Sequence, residues 1–227
     1  MSFERAKTEE NKQIRINQIK NVAIKLFDTH EFYEITLAHI AKGTDFTRGN
    51  LYKYISSKEE IYLLITIDEL NILLRNLKEK LNKDFSKKTG DFAEILASEI
   101  SRQSRFLKLF SILYSILEKN ASEEKLIDFE EKLDECRIKF TKNLKIVFPS
   151  LTDTQIKKFI EELFGFIIGF YPMFSLNEIQ KEALKKAKTG YYPPDFEKIL
   201  KEQIICILRN ILYHSGEKIS SIPYRII

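Results

Sequence analysis

Between Thr36 and Glu60 the chain prescribes two short helices, a tight turn between them, and the start of a third. Thr36 can cap the first, with Leu37, Ile40 and Ala41 on its inner side. Thr47 can cap the second, where Leu51, Tyr54 and Ile55 share one face at helical spacing. Ser57-Lys58-Glu59-Glu60 has the S-x-x-E form of a capping box and marks the start of a longer helix. Two short helices crossing at a fixed angle make a helix-turn-helix, whose second helix lies in the DNA major groove. An ordinary helical hairpin with a solvated polar face has the same apolar spacing, so the polar residues must decide.

With Leu51 inward, a step of about 100° per residue puts Gly49 and Lys53 on the outer side. Asn50 and Tyr52 flank them, and Arg48 sits in the first turn with a long reach. An outward glycine lets the backbone approach base edges, while Arg pairs with guanine and Asn with adenine through two hydrogen bonds each. Thr47, Tyr52 and Lys58 are better placed for phosphate, Lys58 because helix N-termini favour anions. The candidate DNA-contacting set is therefore Thr36, Thr47, Arg48, Gly49, Asn50, Tyr52, Lys53 and Lys58. The charge agrees: from Thr36 to Lys58 the basic residues are Lys42, Arg48, Lys53 and Lys58, against Asp45 alone. The whole chain carries only +4, so the excess is local to the motif.

These residues resemble a known family. Ile40-Ala41, the run Phe46-Thr47-Arg48-Gly49-Asn50-Leu51-Tyr52-Lys53-Tyr54-Ile55, and Ser57-Lys58-Glu59-Glu60 look like the DNA-binding domain of TetR transcriptional regulators. Ala23-Ile24-Lys25-Leu26-Phe27, followed by Phe32-Tyr33-Glu34-Ile35-Thr36, fits that family's first helix and the connection after it. The resemblance covers roughly residues 14 to 65. Asp45 and Glu31 stand where the family usually has glycine. Asp tolerates the left-handed region, whereas Glu31 calls for a different loop. The family implies a homodimer on a double-stranded, palindromic operator, and an effector pocket in the carboxy-terminal half.

The remainder reads as helix, since only seven glycines and five prolines punctuate 227 residues and no segment alternates with period two for long. Residues up to about Glu10 are polar and expected to fray. A helix from Gln13 to Thr29 should bury Ile16, Ile19, Ala23, Leu26 and Phe27. The helix over 58–82 has two apolar stripes, Leu63, Ile67, Leu70, Leu74, Leu77 and Leu81 on one side and Ile61, Ile65 and Ile72 on the other. Two stripes suit a helix joining two cores, so a DNA-binding domain over 1–57 and an effector and dimerisation domain over 58–227 are expected. A break over 84–90 precedes helices at 91–103, 105–119 and 122–147. A second capping box, Thr152-Asp153-Thr154-Gln155, opens a helix that Pro172 should end or kink. A lysine-rich helix over 177–188 and an apolar one from Asp195 to Tyr213 follow, and the last dozen residues carry no signal. The expected fold is all-α.

Chemistry of other kinds has little footing. His30, His39 and His214 have no carboxylate or cysteine at ligand spacing, and neither a phosphate loop nor a nucleophile elbow occurs, so no catalytic residue, metal or cofactor is expected. Cys136 and Cys206 read as buried reduced thiols. The charged start lacks a signal-peptide core and no apolar run reaches membrane-spanning length, so a soluble cytoplasmic protein with no membrane partner is expected. Phenylalanine is dense in the second half. Core packing accounts for much of it, but Phe110, Tyr114, Phe140, Phe166 and Phe170 are also candidates to line a pocket for a small hydrophobic effector. Dimerisation is expected through helices 155–170 and 195–213, with charge at Ile204 or Ile207 separating the pair. The expected activity is a repressor released from its operator by an apolar or amphipathic effector. Two other readings stand beside it: a regulator controlled by a protein partner, and a helical interaction module that does not bind DNA.

Overall fold

The computed structural model describes residues 2–44, 47–81, 88–188 and 190–214, with the backbone alone described for 2–9, Arg48, Tyr213 and His214. Asp45, most of the break over 84–90, and the tail after His214 lie outside the described residues. Among those described there are ten α-helices and no strand: α1 Ser2–Thr29, α2 Leu37–Lys42, α3 Arg48–Leu51, α4 Lys58–Lys80, α5 Thr89–Ser101, α6 Ser104–Ile112, α7 Glu123–Val147, α8 Asp153–Phe174, α9 Glu178–Ala187 and α10 Phe196–His214. They form two compact units. One takes the chain up to Leu70 together with Ile112–Asp134; the other takes Asn71–Ser111 and the chain from Glu135 onward. Lys58–Leu70 of α4 thus belongs to the first unit and Asn71–Lys80 to the second.

In the first unit α1 is longer than its apolar face. It starts at Ser2 rather than at Gln13, because no glycine or proline interrupts the chain before Gly43 and polar residues such as Glu, Lys and Arg are good helix formers. Ile19, Ala23 and Phe27 of α1 pack with Ile35, Ile40, Leu51, Ile55 and the α4 residues Ile61, Tyr62 and Ile65, all buried. Ile16, Leu26 and Leu37 stand at the rim of this core. Tyr62 lies 5.1 Å from Phe27 and 5.3 Å from Phe32, ring centre to ring centre, and its hydroxyl donates to the Ala23 carbonyl at 3.0 Å. Lys20 of α1 pairs with Asp68 of α4 at 2.6 Å.

The close approach of α1 and α2 depends on Gly43. A Cβ there would come 2.5 Å from Val22 Cγ1, and a β-branched side chain has little freedom to withdraw. Gly43→Ala should therefore destabilise the protein by about 1–3 kcal/mol through overpacking. Adding Val22→Ala should restore much of the loss. Urea denaturation decides it: equal midpoints for Gly43→Ala and the parent would mean that this contact is not tight.

The second unit is built on phenylalanine. Phe148, Phe92, Phe159, Phe140, Phe164, Phe110 and Phe106 form a continuous chain of ring contacts with successive centroids 4.5–6.3 Å apart. Tilted and edge-on geometries predominate, as the ring quadrupole favours. α10 packs on α5 and α8 through Leu200, Ile204, Ile207, Leu208 and Ile211. Buried Asn143 donates to the Leu74 carbonyl at 3.0 Å, and buried Glu99 pairs with Lys80 and Arg102.

Three expectations change here. The helix expected over 105–119 stops at Ile112, and a π turn, Leu113–Leu117, then a 3-10 turn, Glu118–Asn120, replace its second half. Ser111 Oγ donates to the Leu107 carbonyl at 2.6 Å, a competing bond of the kind that bends helices. α8 runs through Pro172 to Phe174, so the proline sits in the final turn and the helix ends two residues later. Cys136 is buried but Cys206 is exposed, because it lies on the opposite side of α10 from Ile204 and Ile207.

Candidate nucleic-acid interface

Each helix boundary around the motif is fixed by a side chain. Thr36 Oγ1 accepts from the His39 amide at 3.2 Å, and Thr47 Oγ1 from the Asn50 amide at 3.3 Å. Ser57 Oγ caps α4 by accepting from the Glu60 amide at 3.2 Å. The reciprocal arm of the capping box is displaced by one residue, since Glu60 Oε2 accepts from the Ser56 amide at 2.8 Å. Its other oxygen accepts from the amide and hydroxyl of Ser122, at 3.3 and 2.8 Å, so this buried carboxylate joins two distant stretches of the first unit.

α3 itself is a single turn. Beyond Leu51 the chain continues in turns, with the Lys53 amide donating to Asn50 and the Tyr54 and Ile55 amides to Leu51. Leu51 and Ile55 are buried and Tyr54 is half-buried, so the inner face is as the spacing implies. On the outer face Gly49, Asn50 and Lys53 are exposed, Tyr52 is 46% exposed, and a Cβ at Gly49 would meet nothing within 4 Å. The structure thus brings Thr47, Gly49, Asn50, Tyr52 and Lys53 together on one short stretch, with Thr36 at the start of α2. The Arg48 side chain lies outside the described residues.

Lys58 is more committed than its position in sequence suggests. Its ammonium donates to the carbonyls of Phe32 and Ile35, both at 2.7 Å, and sits 4.2 Å from the centre of the Phe32 ring. Burial lowers its pKa from the ordinary lysine value, with Glu59 acting the other way. The loop it holds is the one where Glu31 replaces the family's glycine. There Glu31 has an ordinary extended backbone (φ −70°, ψ 146°) and its amide donates to Glu34 Oε2 at 3.1 Å, closing a 3-10 turn over Phe32–Glu34. No left-handed residue is needed, which is how the chain dispenses with glycine.

The candidate effector residues are dispersed. Phe110 and Phe140 are 2% and 3% exposed, and each touches Phe164, at 5.0 and 6.1 Å. Phe164 is the hub that sequence spacing alone does not single out. Phe166 and Phe170 stack on one another at 4.4 Å and 17° on another side of α8, with Phe170 45% exposed. Tyr114 lies in the π turn and belongs to the first unit. Among the described residues no group of three or more His, Cys, Asp or Glu side chains is arranged to hold a metal, and no single helix is long and apolar enough to cross a membrane.

Comparison with known proteins covers both halves of the chain. The family described as bacterial regulatory proteins, tetR family, matches residues 19–65, and the tetracyclin repressor-like, C-terminal domain family matches residues 68–213. Among solved structures, FadR of Thermus thermophilus, a TetR-family transcriptional repressor in complex with lauroyl-CoA, is 18% identical. It aligns with a TM-score of 0.56 over 92% of this chain and 100% of its own. PfmR, a TetR-family transcriptional regulator also of Thermus thermophilus, is 20% identical with a TM-score of 0.50, over 84% and 97%. The fatty acid degradation regulator FadR of Bacillus halodurans is 15% identical with a TM-score of 0.52, over 85% and 94%. At these identities the likeness shows the fold alone. No curated protein sequence matches the chain.

Proposed function

Because the chain belongs to the TetR family of transcriptional regulators, we propose that it is a cytoplasmic repressor, binding a palindromic operator as a homodimer and leaving it on binding a small apolar or amphipathic effector. The observation that carries the DNA half is the outer face of α3 and the turn after it, where Gly49, Asn50 and Lys53 are exposed beside a wholly buried Leu51. In this reading Arg48 and Asn50 reach base edges, Gly49 admits close approach, and Lys53 adds charge. Thr36, Thr47 and Tyr52 hold phosphate, and Lys58 adds the one ammonium donor not engaged with carbonyls. Residues 1–57 serve as the DNA-binding domain and 58–227 as the effector and dimerisation domain, with α4 running from one to the other.

For the effector, the phenylalanine-built second unit suits an apolar chain, and a structural relative is described with lauroyl-CoA bound. Phe110, Phe140, Phe166 and Phe170 of this unit are its proposed contacts, whereas Tyr114 belongs to the first unit. An acyl thioester such as lauroyl-CoA is therefore the first probe to try. Control by a protein partner is the second reading, and α9 is what favours it. α9 buries none of its residues and leaves Ile179 81% exposed.

The DNA reading is tested with duplexes selected from random-sequence DNA by the full chain. Asn50→Ala or Arg48→Ala should cost about 1–3 kcal/mol at one base position and relax selectivity there, as fluorescence anisotropy would show. Tyr52→Phe should weaken binding to all sequences alike. Operator affinity unchanged by both Lys53→Ala and Arg48→Ala would remove α3 as the contact surface.

A further inference from the structure

A cleft of about 650 Å³ lies where α1 passes the turn after α3, lined among others by Lys12, Ile14, Arg15, Gln18, Lys53 and Tyr54. Three of its lining residues are cationic and none is acidic. Arg15 Nη1 donates to Gln18 Oε1 at 3.1 Å, which places a guanidinium and a side-chain amide side by side in the cleft wall. From this geometry we infer that the cleft grips the sugar-phosphate backbone of DNA beside the bases that α3 reads, with Lys12 and Arg15 as additional phosphate-binding residues. The inference rests on the reading of α3 as the DNA-contacting helix.

Continuity identifies the occupant. Lys53 and Tyr54 enter the cleft directly after the exposed Gly49 and Asn50, so a duplex lying on α3 brings its backbone to the mouth of the cleft. Lys12 and Arg15, three residues apart, share a face of α1 and are separated by about 4.5 Å along its axis. Successive phosphates of one strand rise by about 3.4 Å, so the two cations can take neighbouring phosphates. Gln18 supplies a neutral donor and Ile14, 49% exposed, an apolar edge of the kind that meets deoxyribose. The α1 side of the cleft lies before residue 19, where the family match begins.

The experiment is a salt titration of binding by the full chain and by the double variant Lys12→Gln with Arg15→Gln, on a duplex selected by the parent protein. Both side chains are exposed, so helix content measured by circular dichroism should not change. Loss of two phosphate contacts should make the slope of log K against log salt shallower by about 1.8. Between about 50 and 200 mM salt the parent should then lose about tenfold more affinity than the variant, with base preference the same in both. Gln18→Glu, which places an acid in the cleft, should weaken binding in the same sequence-independent way. An unchanged slope overturns the inference, and so does a changed base preference, which would mean that the cleft reads bases. Should the parent protein select no preferred duplex, the α3 reading fails by itself, and the same slope comparison on mixed-sequence DNA still decides the cleft.

Discussion

Gly165→Glu and Gly169→Glu, each alone, are expected to give monomers whose operator affinity is about 10²–10⁴ below that of the parent protein, the factor that joining two binding modules supplies. α8 has two unlike sides. Ile156, Phe159, Ile160, Leu163 and Ile167 are buried within the unit. On the other side Gly165 and Gly169 are exposed, and a Cβ at either would meet nothing within 4 Å. Met173 continues that side, 51% exposed. Apolar surface of this kind beside two glycines is what a second copy, related by a two-fold axis, would cover. The same axis would set two copies of α3 about one DNA turn apart, or roughly 34–36 Å, on a palindrome. The substitutions have opposite effects on fold and assembly, which makes the test clean. Glycine inside a helix costs about 0.5–1 kcal/mol relative to alanine, so replacing it should leave the single chain as stable as before or slightly more so. Sedimentation velocity at micromolar concentration reads the assembly and urea denaturation the fold. Variants that remain dimeric would take this face of α8 out of the interface. Charge at Ile204 or Ile207 cannot serve, because these residues are 0% and 2% exposed in the packing of α10 on α5 and α8, and the unit itself would fail.

What the sequence discloses about this protein is mostly local chemistry. Thr36, Thr47, Ser57, Thr152 and Asn177 all act as helix caps, and each is visible because the cap and the amide it satisfies lie within three residues. The α4 stripes are visible for a similar reason: Leu63, Ile67, Leu70, Leu74, Leu77 and Leu81 recur at one period and all are buried. Contacts across sequence are not visible in that way. Lys58 meets carbonyls 26 and 23 residues earlier, and no spacing rule distinguishes a lysine so engaged from one turned to phosphate. Phenylalanine density announces an aromatic core without saying that Phe164 touches Phe106, Phe110 and Phe140 while Phe166 stacks on Phe170 instead. Cys206 looks buried because Ile204, Ile205 and Ile207 surround it in sequence, yet it lies on the outer side of the helix. The early start of α1 escapes a search for apolar periodicity, since its first turns are helical by propensity rather than by burial. Lys12 escapes with it, while Arg15, inside the expected helix, lies off its apolar face and carries no signal there.

Phe110→Ala and Phe140→Ala are expected to lower the melting temperature by about 6–20 °C, because truncating a buried phenylalanine costs about 3–5 kcal/mol and each kcal/mol is worth about 2–4 °C in a chain of this size. Both rings touch Phe164, so each truncation opens a gap within the aromatic chain rather than at its edge. A loss of that size would weaken operator binding by itself, and effector response cannot be read from these two variants alone. Phe166 and Phe170 separate the questions. They stack on each other away from the hub, and Phe170 is exposed, so alanine at either position should leave the fold largely intact. In the parent protein the acyl thioester probe, at a concentration about 100 times its Kd, should stabilise the folded state by about 2.7 kcal/mol and raise the melting temperature accordingly. It should also lower operator affinity, and both effects should disappear together in Phe166→Ala or Phe170→Ala. The pairing of the two effects is what matters. A ligand that binds the operator-competent and released states equally tightly shifts nothing between them, however strongly it stabilises the fold. A higher melting temperature with unchanged DNA binding would therefore make the compound a ligand but not an effector. If apolar and amphipathic compounds alter neither property, while a protein bound through Ile179 and the lysines of α9 does lower operator affinity, control passes to the partner.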